Sequence, residues 1–494
     1  MRVMFWAQGA GYLNYALAVS LKRKYGIKDF SAIALGKKNY TFLKNQKEIK
    51  IEPLALWQEE FSKYKKAKID HDYLSSLEKK YGIPTLWMYP TADRDLLNYN
   101  YRNYTYEEFL KIMQVCFKFV IEFLKEAKPD YIIMPLGENI GVLIVHEVAR
   151  DMKIPTLMFN TARMEDRFTI SRDTYEGFDK IFKIYDELKR GRKSKYEKKA
   201  ADFIKNFRAR ETTPYHSHTS AYVSQDKFFK SMVTSPGKHL ARALNYSRER
   251  RGHFKDDYMY EEKPPIKLAL HEVDVLTRRM ALSKSSMWEE PDYNEKYVYY
   301  APHYEPEIST MLMGPFYLNQ PALIENIAKS LPVTYRLYVK EHPMMLGFRP
   351  SSYYERLREM PNVKLIHPAV SSYELIKNSQ LVMVITGTPG WEAVLLGKPV
   401  ITFGRVYFNR LSTVKYAGDA GAPLLSRVIR EMIEKHKPDE KELVKFVAAM
   451  YEGSFSVDFS EITEQKSADD TIRLPSFPGA FNAIASEMGL KVKP

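Results

Sequence analysis

The feature that most constrains this chain is an alternation that occurs twice. Short apolar segments of strand character are separated by about ten to fifteen residues whose apolar positions repeat at helical spacing. The first run offers strands at 3–7, 31–35, 131–135 and 155–159, with helices at 13–25, 106–128 and 141–152. The second offers strands at 266–270, 297–300, 335–340, 363–366, 381–385 and 399–403, with helices at 321–330, 353–359, 372–378 and 389–396. Strands joined through helices pair in parallel and are covered on both faces. The expected fold class is therefore α/β, with two Rossmann-like domains at 1–180 and 263–438. Residues 181–262 read as a basic helical insert, closed by an acidic stretch and Pro264-Pro265. Residues 439–494 read as a helical tail able to cross back to the first domain. There is no repeat of fixed period.

Composition excludes several classes. A single cysteine, Cys116, rules out an intrachain disulfide, a cysteine-rich zinc site and an iron–sulfur cluster. Its neighbours Met113, Phe117 and Val120 repeat at helical spacing, so it reads as a core thiol in a reducing cytoplasm. No apolar run approaches the ~20 residues of a membrane span, and Gln8, Gly9, Gly11 and Asn14 interrupt the only stretch resembling a signal peptide. The expectation is a soluble cytoplasmic chain.

The net charge of +14 calls for an anionic partner. Most of the excess lies in 186–255, which holds 18 Lys and Arg against 7 Asp and Glu. That stretch reads as a solvated helical face, or as an attachment to the anionic inner face of a membrane, where each cation contributes ~1 kcal/mol. Its aromatic residues fit no nucleic-acid module, so nucleic acid is not an expected partner.

The richest segment runs from Leu381 to Phe403, a strand ending in Thr386-Gly387-Thr388 before Pro389 and a helix. With Thr388 at N-cap and Pro389 at N1, the loop amides and the helix dipole would accept a phosphate at the carboxyl edge of the sheet. Glu392, one turn into the helix and too late for a capping box, is placed to accept hydrogen bonds from a ribose diol. The bland reading is a capped helix with a dipole-placed glutamate. Gly397-Lys398-Pro399 reads as a helix stop. A second strand ends in Lys340-Glu341-His342-Pro343, delivering three polar groups to one mouth. His367-Pro368 has the same form and reads as turn chemistry.

In order, His303-Tyr-Glu305-Pro306-Glu307, Gln320, Leu331-Pro332, Val339-Lys-Glu-His-Pro343, Thr386-Gly-Thr-Pro389, Glu392 and Leu396-Gly-Lys-Pro-Val400 resemble the capsule polysaccharide biosynthesis family. The resemblance is clearest over 297–405 and weaker over 128–138 and 154–167. It implies a GT-B-like pair of Rossmann domains facing each other across a cleft, and a glycosyltransferase related to Kdo transferases. The donor nucleotide sugar would be held by Lys340, His342, Thr386, Gly387, Thr388 and Glu392, with His303 and Glu307 beside it and His342 also catalytic. The acceptor, a growing surface glycan or lipid-linked glycan, would lie in the first domain. The small-residue loop here has threonines where the family pattern carries serine, which bears on donor identity.

In the first domain, Glu138 follows a strand and is the candidate base for an acceptor hydroxyl, with Asp166 as a further catalytic candidate. Arg163 and Arg167 offer a bidentate clamp for phosphate or carboxylate, or a plain surface ion-pair cluster. The Gln8-Gly9-Ala10-Gly11 loop has Asn14 at the third glycine position and no acidic residue after the next strand, so it is not a dinucleotide fingerprint. Gly9 and Gly11 instead suit close approach of an acceptor. Asp93-Arg94-Asp95 has the form of a metal-binding pair without the flanking pattern, while His146-Glu147 and His271-Glu272 lack a second histidine, so no metal and no cofactor are expected. The rival readings are a sugar-nucleotide epimerase of the same layout, a nucleotidyl or glycerophosphate transferase, and a non-catalytic protein that binds an anionic polymer or membrane.

Overall fold

The structure, a computed structural model, describes residues 1–8, 11–93, 96, 104–137, 139–175, 177–210, 265–283, 285–418, 422–457 and 467–491. Thirteen strands lie among them: β1 (Arg2–Ala7), β2 (Asp29–Ala34), β3 (Ile51–Leu56), β4 (Tyr131–Pro135), β5 (Thr156–Thr161), β6 (Arg167–Ser171), β7 (Tyr297–Tyr300), β8 (Arg336–Lys340), β9 (Val363–Ile366), β10 (Leu381–Val384), β11 (Val400–Thr402), β12 (Val414–Tyr416) and β13 (Phe455–Ser456). They form two sheets in two compact units. The described residues of 1–183 and 452–494 make the first unit, and those of 184–451 the second.

The first sheet has the order β13-β6-β5-β4-β1-β2-β3. Strands β1 to β5 are parallel, while β6 and β13 add an antiparallel edge. Val3 to Ala7 are buried on both faces, which is why β1 reads as an unbroken apolar run. Val3, Phe5 and Ala7 share a core with Leu17 and Leu21 of the Gly11–Tyr25 helix and with Phe477, Phe481 and Ile484 of the Phe477–Glu487 helix. The last segment is fastened to this unit by polar contacts as well. Arg167 donates to Ser454 Oγ at 2.8 Å, Thr169 Oγ1 to the carbonyl of Gly453 at 2.9 Å, and Lys180 pairs with Glu487 at 2.9 Å. Cys116 is buried in the Tyr106–Ala127 helix, where burial pushes its thiol well above the ordinary range.

The second sheet is wholly parallel, in the order β12-β11-β10-β7-β8-β9. Its first strand in sequence, β7, thus lies between β8 and β10, and chain direction across the sheet reverses there. That is the doubly wound order, whose ligands collect at the carboxyl edge beside the reversal. Two Rossmann-like α/β units are the architecture.

Several elements depart from the sequence expectation. The strand expected at 266–270 is the start of a helix, Pro265–Ser283: the residues that carry it continue into Val275, Arg279 and Leu282, buried at helical spacing. Pro265 suits the first turn, where its missing N–H costs nothing. Strands β3, β6, β12 and β13 were not expected, the last lying in the 439–494 segment read as helical. Strand β3 is only half buried and contains Pro53, and β12 is short, so neither shows a clean apolar pattern.

The beginning of the basic stretch packs its apolar side and leaves its cations exposed, as a solvated helical face does: Phe203, Ile204 and Phe207 are buried, while Lys193, Lys195, Lys198, Lys199 and Lys205 are exposed. The helices Asp179–Lys189 and Glu197–Arg208 carry Lys189 to Glu442 at 3.2 Å and Arg208 to Glu440 at 2.8 Å, and Arg210 reaches Glu374 at 2.7 Å. Residues 211–264, which hold the rest of it, lie outside the described residues. Among the described residues, no helix is long and apolar enough to cross a membrane.

Candidate nucleotide-sugar site

The site is built where the second sheet reverses. Beyond β7 the chain turns through His303 to Glu307, and beyond β10 through Thr386 and Gly387 into the Thr388–Leu395 helix. The backbone N–H of Thr386 donates to His303 Nε2 at 3.1 Å, joining the two strand ends across the switch point. With Nε2 accepting, the ring proton belongs on Nδ1, which faces Glu307 at 3.6 Å. Gly387 packs closely on this contact: a Cβ there would lie 3.2 Å from Nε2, so the ring would have to give by a few tenths of an ångström.

His303 is held from behind by polar groups. Its N–H donates to Gln320 Oε1 at 2.8 Å, Gln320 Nε2 donates to its carbonyl at 3.4 Å, and Arg349 Nη2 donates to the same carbonyl. Arg349 is buried and balanced by two carboxylates, Glu341 at 3.2 Å and Glu305 at 3.3 Å. Burial pushes the Glu341 carboxyl up, and Arg349 opposes that shift. Glu341 also accepts from the Tyr354 hydroxyl at 3.0 Å and from the His342 N–H at 2.6 Å. This clasp fixes the ends of β7 and β8 to one another.

On the opposite face of β8, Lys340 is buried and its ammonium donates to Ser372 Oγ at 2.9 Å. Ser372 also hydrogen-bonds the buried Tyr299 phenol, which feels the Glu392 carboxylate. Glu392 is half-buried. His342 Nδ1 accepts from the Met344 N–H at 3.2 Å; burial first and Lys340 second push its imidazole down to about 4. His342 is therefore neutral at pH 7, a hydrogen-bonding group rather than a cation.

One motif reading is corrected. Gly387, with φ −65° and ψ 151°, is the N-cap, so Thr388 and Pro389 are the first two helical residues and Thr388 does not cap with its side chain. Proline is accommodated at either position because neither N–H has an intrahelical partner, so Pro389 did not fix the start. The correction leaves the Thr388 amide at the helix opening, where the dipole favours negative charge. Gly390 lets the helix sit on β10, as a Cβ there would meet Val384 at 2.8 Å.

In sum, His303, Glu307, Lys340, His342, Thr386, Gly387, Thr388 and Glu392 gather at the carboxyl edge of one sheet. Sequence reasoning missed Arg349 and the structural role of Glu341, because their pairing links a turn to a strand end with no local pattern.

In the first unit the picture is different. Glu138 and Gly9 lie outside the described residues. Gly11 opens its helix beside Asn39, whose side-chain Oδ1 a Cβ would meet at 2.7 Å. The Arg167 guanidinium is committed to Ser454, at the strand edge rather than in an open clamp, and the backbone carbonyl of Asp166 accepts from the Val457 N–H at 3.1 Å. Arg163 is exposed in the β5–β6 turn with φ 55°. Asp93 is buried and caps backbone, accepting from Ile140 at 2.9 Å and Leu96 at 2.9 Å, while Arg94 and Asp95 lie outside the described residues.

Residues 318–412 match the family model described as capsule polysaccharide biosynthesis protein. They contain Gln320, Lys340, His342, Arg349, the Thr386–Thr388 loop and Glu392. The capsule polysaccharide modification protein LipA of Neisseria meningitidis serogroup B is 27% identical over 115 residues, 23% of this chain and 15% of that protein. Protein FixF of Sinorhizobium fredii is 32% identical over 127 residues, 24% of this chain and 28% of that protein. The chain thus spans less than a third of the length of these curated relatives. Over this segment it is distantly related to capsule polysaccharide biosynthesis proteins.

Among solved structures, the β-Kdo 2,4 transferase of Thermosulfurimonas dismutans KpsC is similar at TM-score 0.33 and 12% identity, covering 69% of this chain and 85% of that one. A UDP-GlcNAc 2-epimerase from Neisseria meningitidis is similar at TM-score 0.26 and 14% identity, covering 94% of this chain and 98% of that one.

Proposed function

We propose that this chain is an enzyme acting on a nucleotide-activated sugar, held by the second unit at the carboxyl edge of its sheet. The observation that carries the reading is the His303–Thr386 bridge across the switch point, flanked by Lys340, His342 and Glu392. A phosphate seated at the Thr388 amide would have the helix dipole behind it and the Lys340 ammonium nearby. Glu392 would accept from a ribose diol. Charge building on a departing phosphate oxygen would be offset by these groups, which need no rearrangement as the bond breaks.

Two reactions use such a site. In transfer, the bond from the anomeric carbon to the phosphate oxygen breaks with its electron pair on the oxygen. An acceptor hydroxyl then bonds to that carbon and gives up its proton to a base, for which Glu138 is the candidate. The family match over 318–412 and the surface glycans its members serve support this reading, with a glycan or lipid-linked acceptor at an inner membrane face.

In epimerisation the same bond to the phosphate oxygen breaks while a base takes the proton from the sugar's second carbon, leaving a double bond between the first and second carbons. The nucleotide phosphate then adds back to the first carbon as a proton is delivered to the opposite face of the second. This reading needs only the one substrate. The residues gathered at the carboxyl edge of the second sheet would serve that substrate, whereas the Arg167 guanidinium, expected to clamp an acceptor group, is bound to Ser454. We therefore hold epimerisation level with transfer.

The test has two stages. Thermal shifts against CMP, CDP, UDP, GDP and ADP should show a selective response, since a ligand at 100 times its dissociation constant stabilises by ~2.7 kcal/mol. No response to any of them would reject the reading. Incubating the responding nucleotide's sugars in deuterated water then separates the reactions. Deuterium at the sugar's second carbon without an acceptor means epimerisation, and a product formed only with acceptor means transfer.

A further inference from the structure

We infer that the donor phosphate binds together with a proton, taken up on His303. This deepens the nucleotide-sugar reading and rests on it. The imidazole meets the anion site with its Nε2 edge, and that lone pair is occupied by the Thr386 N–H at 3.1 Å. The ring is held at both nitrogens, by the Thr386 N–H at Nε2 and by Glu307 at Nδ1. Its main chain is gripped by Gln320 and Arg349 on both polar atoms, and Gly387 packs against it so closely that a Cβ would lie 3.2 Å from Nε2 and 3.3 Å from Cε1.

A phosphate oxygen arriving at the Gly387–Thr388 backbone therefore meets an acceptor nitrogen. Two acceptors facing each other repel, and the one amide between them, Thr386, can serve only one of them well. Protonating Nε2 resolves the conflict. The imidazolium then donates to the phosphate, and the Thr386 N–H is released to it as a further donor. The proton comes from solvent and no covalent bond changes.

The surroundings accommodate that charge. From its own turn, Glu307 faces Nδ1 at 3.6 Å, and Glu305 lies in the same turn paired with Arg349. From β8 and the loop after it come Glu341, already balanced by Arg349, and Lys340, whose ammonium is bound to Ser372. His342, from the same strand end, feels both Glu307 and His303 and is held neutral down to about 4. From the helix after β10 comes Glu392. Glu307 is the carboxylate in direct reach of the ring, so the imidazolium would be held between it and the phosphate.

The test is calorimetry of the full chain with UDP-N-acetylglucosamine and CMP-N-acetylneuraminic acid, whose phosphates are diesters and do not titrate near neutrality. Each titration is run in two buffers of different ionisation enthalpy between pH 7 and 8.5. Expected is net uptake approaching one proton, with affinity falling about tenfold per pH unit. His303→Gln, which keeps a side chain able to accept from Thr386, should still bind but without uptake, and His342→Gln should retain uptake. Binding without proton uptake by the unaltered protein overturns the inference and leaves the nucleotide-sugar reading standing. Uptake that survives in His303→Gln and vanishes in His342→Gln also overturns it. Failure of the unaltered protein to bind either compound, or the five nucleotides, overturns both. If His303→Gln does not fold, Glu307→Gln serves instead, and its uptake should fall.

Discussion

Arg349 and Glu341 lie 3.2 Å apart in the interior of the second unit, with the guanidinium also donating to the carbonyl of His303. The pair comes from the end of β8 and the loop beyond it, so a buried charge couple holds the turn that carries the imidazole. Such pairs stabilise weakly against an apolar replacement but are costly to break singly, because one charge is left without its partner.

Arg349→Met should therefore destabilise the chain by ~3–5 kcal/mol. The double variant Arg349→Met/Glu341→Gln should recover part of that loss. Thermal unfolding of the three proteins checks this, and a double variant no better than the single one would assign the cost to packing instead.

Acid should weaken the fold through two histidines. His342 and His146 are both pushed down to about 4, principally by burial. The unfolded chain takes up these protons near the ordinary value of ~6.5, the folded chain only near 4. Stability from each is full above the upper value and is lost as pH falls through that window, by up to ~1.4 kcal/mol per pH unit per histidine. Replacing His146 by Gln should flatten the fall in melting temperature between pH 7 and 5. An unchanged slope would remove His146 from the account.

Glu392→Ala should weaken nucleotide binding by ~1–3 kcal/mol if the carboxylate accepts from the ribose. The dissociation constant for whichever nucleotide responds is the measurement. A folded variant that binds as tightly as the original would dismiss the ribose assignment.

Gly387→Ala tests the close approach directly. Its φ of −65° suits any residue, so the effect would come from the Cβ against the His303 ring. We expect ~1–3 kcal/mol of destabilisation from overpacking, with weaker nucleotide affinity. Normal affinity at full stability would mean that the ring yields.

The parts legible in the sequence were those whose cause is local. Strands β1, β4 and β10 are buried on both faces and read as unbroken apolar runs, and the loop–helix after β10 carries its own punctuation in Gly387 and Pro389. What stayed hidden depends on distant partners. Asp93 has the form of half a metal motif until the Ile140 amide is seen to occupy its carboxylate. Lys340 reads as a phosphate cation, and only the fold shows it anchored on Ser372. Arg349 belongs to no motif, since its partners Glu305 and Glu341 become neighbours only through the pairing of β7 with β8. The Pro265–Ser283 helix was misjudged because its opening run alternates over a few residues, and its helical period emerges only further along.

The first unit is closed by β13 and the Phe477–Glu487 helix, which follow the entire second unit in the chain. A ribosome therefore releases the first sheet long before it delivers Phe477, Phe481 and Ile484 to cover the helix at Leu17 and Leu21. Until then a nascent chain carries an uncovered apolar face, the kind of surface that chaperones hold. The second unit has all its strands in one stretch and needs no such wait. During synthesis the order of maturation would then run backwards, the later half of the molecule becoming complete before the earlier one.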